Sequence, residues 1–296
     1  MTSLKFKIWR FLIKSMFSKK DINSGIDIAK ARRFDKPYPP NKLKKNAFIE
    51  NKKFLNTNVF YIQSKKHEIN NSRIILYFHG GAFISGITGP HWNFVEKLSA
   101  SSGCRIILPE YPLAPECNYI DTTNFAFELY KHLLIEYDSL QIQIIGDSAG
   151  GNLSLTLSLL LNKNLIQQPA RLILLSPWLD LSLSNPEIKK LEKYDIMLST
   201  KKLFTASKLY SNNTDTKNFL ISPIYGDLKT LPETHIFIGN HDLLFADSIR
   251  FRNLAEASGA NIKLYEYNEM MHVWMIFPIP EALEVIKQIN KIFDAK

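Results

Sequence analysis

The sequence is poor in cysteine, and its two cysteines, Cys104 and Cys117, lack the spacing of a metal-binding motif. Two cysteines build no disulfide framework, so the composition favours a reducing compartment, the cytoplasm. The sequence also has no uncharged apolar run of about 18 residues, which excludes a membrane-spanning helix. It contains no internal repeat and no low-complexity segment, which excludes repeat architectures and long disordered tracts.

Positive charge is concentrated at one end of the chain, although the whole sequence carries a net charge of +9. Residues 1–53 contain 15 Lys and Arg against 4 Asp and Glu, and the remaining residues have a net charge of −2. A nucleic-acid-binding protein usually carries its basic patch on the folded domain, together with a recognisable motif. The sequence shows neither, which argues against nucleic acid as a partner.

Residues 1–20 have the pattern of a basic amphipathic helix. One helical face carries Leu4, Ile8, Phe11, Leu12 and Ser15. Arg10 and Lys14 interrupt the apolar stretch, so the segment lacks the continuous core of a secretory signal. Two interpretations stay open: the helix covers the mouth of a site, or it lies on the anionic inner face of a membrane. Residues 21–53 are polar and basic, and we expect a linker and a second covering segment there.

From residue 59 onward, short apolar or β-branched runs alternate with amphipathic segments. The predicted strands are 59–63, 73–78, 104–108, 141–145, 171–175, 235–239 and 262–267. The predicted helices include 93–100, 122–135, 153–161, 247–258 and 281–293. Strands that alternate with helices form a parallel sheet covered on both faces, so the predicted fold class is α/β. Residues 177–232 are too long for a simple crossover, and we expect an insertion, with a helix at 200–210, that shapes a substrate pocket.

The segment between the strand at 141–145 and the helix at 153–161 contains the pattern G-x-S-x-G, at Gly146, Ser148 and Gly150. Between a strand and a helix, this pattern predicts a nucleophile elbow, a strained turn that exposes a serine hydroxyl at its tip. Glycine is needed two residues to either side, because larger side chains there would collide. The positive end of the following helix would face the negative charge that develops during acyl transfer.

A serine hydroxyl needs a general base, and histidine suits the task because its ordinary pKa is about 6.5. His272 follows the last predicted strand and is the candidate base, since elbow folds place serine, acid and histidine in that order. A carboxylate must orient the histidine, and Asp242 follows the preceding strand. Asp247 is the alternative acid, but it lies where a helix begins and suits a cap. Asp147, inside the elbow, is expected to hold the turn. Two aspartates of the insertion rank lower as the acid: Asp180 and Asp195.

A tetrahedral intermediate carries an oxyanion, which needs preorganised N–H donors. The segment H-G-G-A at 79–82 follows a predicted strand, and its small residues let backbone amides approach a ligand closely. We expect the amides of Gly80, Gly81 and Ala149 to form the oxyanion hole. His79 is expected to fix the loop and not to act as a second base.

Together these segments resemble the hormone-sensitive-lipase-like branch of the α/β-hydrolases. The matching motifs are H-G-G-A at 79–82, Y-P-L-A-P-E at 111–116, G-D-S-A-G-G at 146–151, S-P-W-L-D at 176–180, Asp242 with Leu244, and His272. The resemblance implies an α/β-hydrolase fold: an eight-stranded, mostly parallel sheet with helices on both faces and a helical cap. It implies a catalytic domain over residues 51–296, an N-terminal cap segment over 1–50 and a cap insertion at about 180–220.

The sequence departs from the family pattern at two positions. Ala82 replaces the third glycine of the usual H-G-G-G motif, which keeps the N–H but restricts the backbone and so affects the expected donor geometry. Pro112 replaces the arginine of the usual Y-R-L-A-P-E motif, which removes a charge and a donor from that loop. Neither departure removes a candidate catalytic residue.

We therefore expect a serine carboxylesterase that hydrolyses small-molecule esters through an acyl-enzyme intermediate, with no metal and no organic cofactor. Ser148 would attack the carbonyl, His272 would move the proton and Asp242 would orient His272. A preference for short to medium acyl chains follows from the resemblance. A membrane-associated lipase or an amidase with the same triad stays open, as do a peripheral membrane contact through residues 1–20 and a homodimer. A ligand-binding receptor, like the related plant gibberellin receptors, is disfavoured because those lack the catalytic histidine.

Overall fold

The structure is a computed structural model that describes residues 2–16, 26–68 and 70–295 of the chain. The strands are β1 Ala47–Phe54, β2 Thr57–Ser64, β3 Asn70–Phe78, β4 Cys104–Pro109, β5 Ile142–Asp147, β6 Arg171–Leu175, β7 Glu233–Gly239 and β8 Ile262–Tyr267. The α-helices are α1 Leu4–Met16, α2 Ile28–Arg32, α3 Asn41–Asn46, α4 Gly89–Ser102, α5 Tyr119–Glu136, α6 Ala149–Lys163, α7 Ile188–Leu191, α8 Thr200–Ser211, α9 Phe245–Ala257 and α10 Pro280–Asp294. Each predicted strand and helix overlaps one of these elements.

The eight strands form one sheet in the order β1-β2-β4-β3-β5-β6-β7-β8. β2 pairs antiparallel with both β1 and β4, and the other neighbouring strands are parallel. The prediction of an eight-stranded, mostly parallel sheet is confirmed. Because β3 and β5 to β8 run in the same direction, the loops that leave their carboxyl ends meet at one edge of the sheet.

Strand β1 corrects the linker expected over residues 21–53. Only Ala47 of this strand is buried, so its sequence has the polar pattern of a loop. It becomes a strand because β2 offers an edge, and each residue from Ala47 to Phe54 pairs with a residue of β2. Leu55 and Asn56, both at positive φ, join the two strands in the tight turn that hairpins favour. The sheet therefore begins before the boundary expected between residues 50 and 51.

Alternate side chains of the central strands enter two apolar clusters, one on each face of the sheet. In β3, Ile74 and Leu76 belong to one cluster, and Ile75 and Tyr77 belong to the other. Helices α5, α6 and α9 contribute to the first cluster, and α4 and α10 to the second. Burial on both faces explains why these strands are nearly continuous apolar runs.

Helix α1 buries a different face from the apolar face predicted for it. Phe6 and Ile13 are buried in the cluster that includes the α10 side chains. Ser3 donates to the Glu281 carboxylate of α10 through its amide at 2.6 Å and its hydroxyl at 3.0 Å. The face predicted to be apolar is exposed, with Leu4, Ile8, Phe11 and Leu12 in contact with solvent. Residues 1 and 17–20 of the predicted helix lie outside the described residues. None of the described helices is long and apolar enough to cross a bilayer.

The packing of α5 gives a direct test of the fold. Leu129→Ala should lower the free energy of unfolding by about 2–5 kcal/mol, because Leu129 is completely buried and its truncation leaves a cavity. Ile135→Ala is the matched control on the same helix, since Ile135 is 79% exposed and the change should cost less than about 0.5 kcal/mol. Urea denaturation followed by circular dichroism measures both values. Equal losses in the two variants would contradict the packing described for α5.

Candidate active site

Ser148 occupies the turn between β5 and α6, with φ of 51° and ψ of −115°. A non-glycine residue rarely adopts this conformation, so the turn must be held by its surroundings. The Ser148 amide donates to the Leu175 carbonyl at 2.9 Å, and the Ser148 carbonyl accepts from the Trp178 amide at 3.0 Å. Strand β6 and the residues after it therefore fix the strained backbone from outside the turn.

Two glycines make this turn sterically feasible. A Cβ on Gly146 would collide with the backbone carbonyl of Gly150. A Cβ on Gly150 would collide with the carbonyl of Phe78, at the end of β3. The turn thus packs against itself and against the neighbouring strand, as the G-x-S-x-G pattern requires.

Three side chains from separate loops form one hydrogen-bonded chain. His272 Nε2 lies 3.0 Å from Ser148 Oγ, and His272 Nδ1 lies 2.9 Å from Asp242 Oδ2. Ser148, Asp242 and His272 are 7%, 0% and 3% exposed. Asp242 Oδ1 also accepts from the Leu244 amide at 2.9 Å, so both oxygens of this carboxylate are held. The loops after β5, β7 and β8 supply the three residues, which lie at the same edge of the sheet.

Burial and neighbouring carboxylates act in opposite directions on the pKa of His272. Burial lowers this pKa, whereas the charge of Asp242 and its hydrogen bond with the imidazole raise it. Asp195 and Asp147 act in the same direction as Asp242, and the net pKa lies above the ordinary value of 6.5. The bond to Asp242 assigns the proton of the neutral ring to Nδ1. The Nε2 lone pair then faces the Ser148 hydroxyl and can accept its proton.

The alternative acids of the sequence have other partners. Asp247 is buried in the first turn of α9, two residues beyond its start, and accepts from the Asn185 amide group at 2.8 Å. Asp180 is completely buried and pairs with Arg250 at 3.1 Å. Among the described contacts, neither carboxylate bonds to His272. The position of Asp247 also differs from the helix cap expected for it, because α9 begins at Phe245.

Asp147 ties the elbow to the loop at 79–82. Its Oδ1 accepts from the Tyr77 hydroxyl at 2.6 Å and from the Gly80 amide at 2.9 Å, and its Oδ2 lies 3.4 Å from His91 Nε2. Burial opposes the charge of Asp147, but His91 and the hydrogen bond from Tyr77 lower its pKa below the ordinary value. The Gly80 N–H is already bonded to this carboxylate. This bond corrects the expectation that Gly80 belongs to the oxyanion hole.

Three other amides in the loops beside Ser148 have no acceptor among the residues that the structure describes. Within the described residues, the N–H groups of Gly81, Ala82 and Ala149 make no hydrogen bond to the protein. Gly81 and Ala82 have φ of 125° and 54° in the turn after β3. Ala149 is the first residue of α6, where the helix N-terminus favours negative charge. Unpaired N–H groups in a tight turn and at a helix N-terminus can hold an anion. The sequence did not single out the Ala82 amide, because only the folded structure shows the bond of Gly80 to Asp147.

His79 fixes this loop. Its Nδ1 lies 2.7 Å from the Gly80 carbonyl, and its ring stacks on Tyr111 with centroids 4.3 Å apart. Burial, followed by the charge of His91, lowers the pKa of His79 to about 3. The ring is therefore neutral at pH 7, and Nδ1–H donates to the carbonyl.

Two segments cover the loop that follows β3. Phe83 stacks on Tyr210 of α8, with ring centroids 3.7 Å apart, so the insertion lies over the loop. Arg32 of α2 donates to the Ile84 carbonyl at 2.8 Å and pairs with Glu116 at 2.6 Å. The hydrogen bond from Arg32 lowers the pKa of Glu116 to about 2.

In the described part of the chain, no three His, Cys, Asp or Glu side chains are placed to hold a metal ion.

Comparisons with known proteins point to one family. A family model of the α/β-hydrolase fold matches residues 75–276. An esterase of Acinetobacter venetianus is 33% identical over 76% of this chain and 75% of its own length. An acetyl-hydrolase of Streptomyces hygroscopicus is 28% identical over 73% of this chain and 74% of its own. The crystal structure of a hormone-sensitive lipase from a metagenome library covers 98% of both chains, with a TM-score of 0.86 and 27% identity. The chain therefore belongs to the hormone-sensitive-lipase-like branch of the α/β-hydrolase family.

Proposed function

We propose that the protein is a serine carboxylesterase in which Ser148, His272 and Asp242 are the catalytic triad. The observation that carries this proposal is the hydrogen-bonded chain from Asp242 through His272 to the Ser148 hydroxyl, at the tip of a strained elbow. The relatives described as an esterase and an acetyl-hydrolase support an ester as the substrate class.

The triad would act in two steps. Ser148 Oγ attacks the ester carbonyl while His272 Nε2 takes its proton, and the imidazolium then protonates the departing alkoxide. Asp242 holds the ring and stabilises the imidazolium. In the second step His272 takes a proton from water, which attacks the acyl-enzyme, and the proton returns to Ser148 as the acid leaves.

We assign the oxyanion hole to the amides of Gly81, Ala82 and Ala149. Two observations support this assignment. Gly81 and Ala82 lie in the loop after β3 and Ala149 directly follows Ser148, and none of the three amides has an acceptor within the described residues. Each such donor typically contributes about 3 kcal/mol to stabilisation of the transition state.

We propose a preference for short- to medium-chain acyl groups. All three triad residues are buried, and the insertion and the segment around Arg32 both cover the loop after β3. The acetyl-hydrolase relative supports the same preference.

We also propose that α1 makes a peripheral contact with an anionic membrane surface on the cytoplasmic side. Leu4 and Phe11 of its outer face are 74% and 72% exposed, and four basic residues share the helix: Lys5, Lys7, Arg10 and Lys14. Apolar and basic side chains on one helix are typical of helices that lie in the membrane interface. Trp9 packs on Phe277, five residues after His272, at 5.9 Å between ring centroids. A lipid-bound α1 would therefore hold the loop of His272 close to esters dissolved in the membrane.

Replacement of the nucleophile tests the reaction. Ser148→Ala should lower kcat/KM at least about ten-thousandfold, because the hydroxyl that attacks the carbonyl is lost. A panel of chromogenic esters from acetate to palmitate, with matching amides, measures this. Ser158→Ala is the matched control, since Ser158 is a buried serine of α6, the helix that follows Ser148, and its hydroxyl donates to Gln168. Unchanged turnover in Ser148→Ala would refute the proposal, and an optimum at palmitate would refute the chain-length preference.

The pH profile tests His272 as the base. On the acid side kcat/KM should fall about tenfold per pH unit, because a protonated ring cannot accept the serine proton. The carboxylates around His272 raise its pKa, so the fall should begin above pH 6.5. Initial rates with a soluble acetate ester between about pH 5 and pH 9 provide the profile. Full activity at about pH 5.5 would contradict this assignment.

Vesicle binding tests the role of α1. Phe11→Glu should weaken binding to vesicles that contain phosphatidylglycerol by about 10- to 100-fold, because it removes a large apolar group and adds a negative charge. Leu165→Glu is the matched control, since Leu165 is 93% exposed but lies after α6. Sedimentation with the vesicles measures the bound fraction. Equal binding by wild type and Phe11→Glu would contradict the contact. If the same face joins two copies of the chain, Phe11→Glu would instead convert a dimer to a monomer in size-exclusion chromatography.

A further inference from the structure

Asp195 is a buried carboxylate of the insertion that contacts the loop of Asp242. Its Oδ2 accepts from the Leu243 amide at 2.8 Å, one residue after Asp242. Its Oδ1 accepts from the amides of Met197 and Leu198, each at 2.8 Å. Asp195 therefore joins the segment after α7 to the loop after β7.

Asp195 and Asp242 are two buried carboxylates that act on one imidazole. Within the described residues, neither of them forms an ion pair with a lysine or an arginine. The charges of both favour the protonated form of His272. Like charges repel strongly where water is excluded, and a proton on His272 relieves that repulsion.

The pKa of Asp195 is raised towards neutral pH. Burial, followed by the charge of Asp242, raises the pKa of Asp195 to about 6, and His272 opposes the shift. The hydrogen bonds that Asp195 accepts from the amides of Met197, Leu198 and Leu243 favour its ionised form. Among the described residues, Asp147 behind the elbow also acts on His272. In the loop of Asp242, His241 stacks on Tyr194, and the charges of Arg10 and Glu269 act on it.

We propose that Asp195 is a positioning residue of the esterase, which holds the loop of Asp242 and supplies a second negative charge that stabilises protonated His272. The inference rests on the proposed triad. An imidazolium forms in both halves of the reaction, so the second carboxylate lowers both barriers. The insertion that covers the site thereby also contributes to the chemistry, because Asp195 belongs to it.

Substitution of Asp195 tests the charge. Asp195→Asn keeps the size of the side chain, removes the charge and leaves one oxygen acceptor in place of two. It should lower kcat about 10- to 100-fold, change KM less than about twofold, and move the acid limb of kcat/KM to lower pH. Asp195→Glu, which keeps the charge, should leave the limb where it is in the wild type. Asp180→Asn is the matched control, because Asp180 is a buried aspartate of the same insertion that pairs with Arg250. It should lower the thermal stability without moving the limb.

A second readout needs no turnover. The proton on His272 Nδ1 can be followed by NMR in the Ser148→Ala background, so an inactive enzyme still reports the titration. With Asp195 present, its resonance should titrate in two steps, since Asp195 takes up a proton in the same pH range. With Asp195→Asn, one step at lower pH is expected.

The two readouts separate the possible failures. Full activity of Ser148→Ala would refute the triad, whereas the NMR titration tests Asp195 in either case. The inference would be overturned if His272 titrated in one step with the same midpoint whether residue 195 is Asp or Asn. It would also be overturned if Asp180→Asn moved the acid limb as far as Asp195→Asn does. If Asp195→Asn does not fold, the NMR titration of Ser148→Ala with Asp195 intact is sufficient. Two titration steps of the His272 proton support the inference, and one step overturns it.

Discussion

The hydrogen bond between His272 Nε2 and Ser148 Oγ, at 3.0 Å, joins two residues that are 124 positions apart in the chain. It can form only if β5, β7 and β8 keep their register, because each strand aims one loop at the common edge of the sheet. The two apolar clusters fix that register, since a slip by one residue would turn each side chain to the opposite face. The core of this protein is therefore what makes the site possible.

Strain at the site is held by contacts beyond it. Ser148 has a conformation that a free chain avoids, and the bonds of its backbone to Leu175 and Trp178 keep it there. The Asp147 carboxylate fixes the loop after β3, because it accepts from the Gly80 amide. The amides of Gly81 and Ala82 have no acceptor within the described residues. A rigid arrangement of donors around the serine needs no reorganisation when charge develops during a reaction.

The sequence predicted the α/β class and the order of the central elements, because buried parallel strands and their helices leave a strong apolar pattern. It also named the three side chains that the structure joins by hydrogen bonds, since the G-x-S-x-G pattern and the strand ends are local signals. Features that depend on contacts between segments distant in the sequence were not predicted. Strand β1 depends on the edge of β2, and the exposed outer face of α1 depends on where Phe6 packs. The bond of Gly80 to Asp147 and the contact of Asp195 with Leu243 join segments that are distant in the sequence, so no local sequence pattern predicts them.

Covalent labelling tests most directly whether His272 activates the hydroxyl of Ser148. A fluorophosphonate reacts with an activated serine, and mass spectrometry of the digested protein locates the adduct. We predict one label per chain, on the peptide that contains Ser148, and loss of labelling in His272→Ala. A label on another residue, or equal labelling of Ser148 in wild type and His272→Ala, would contradict it.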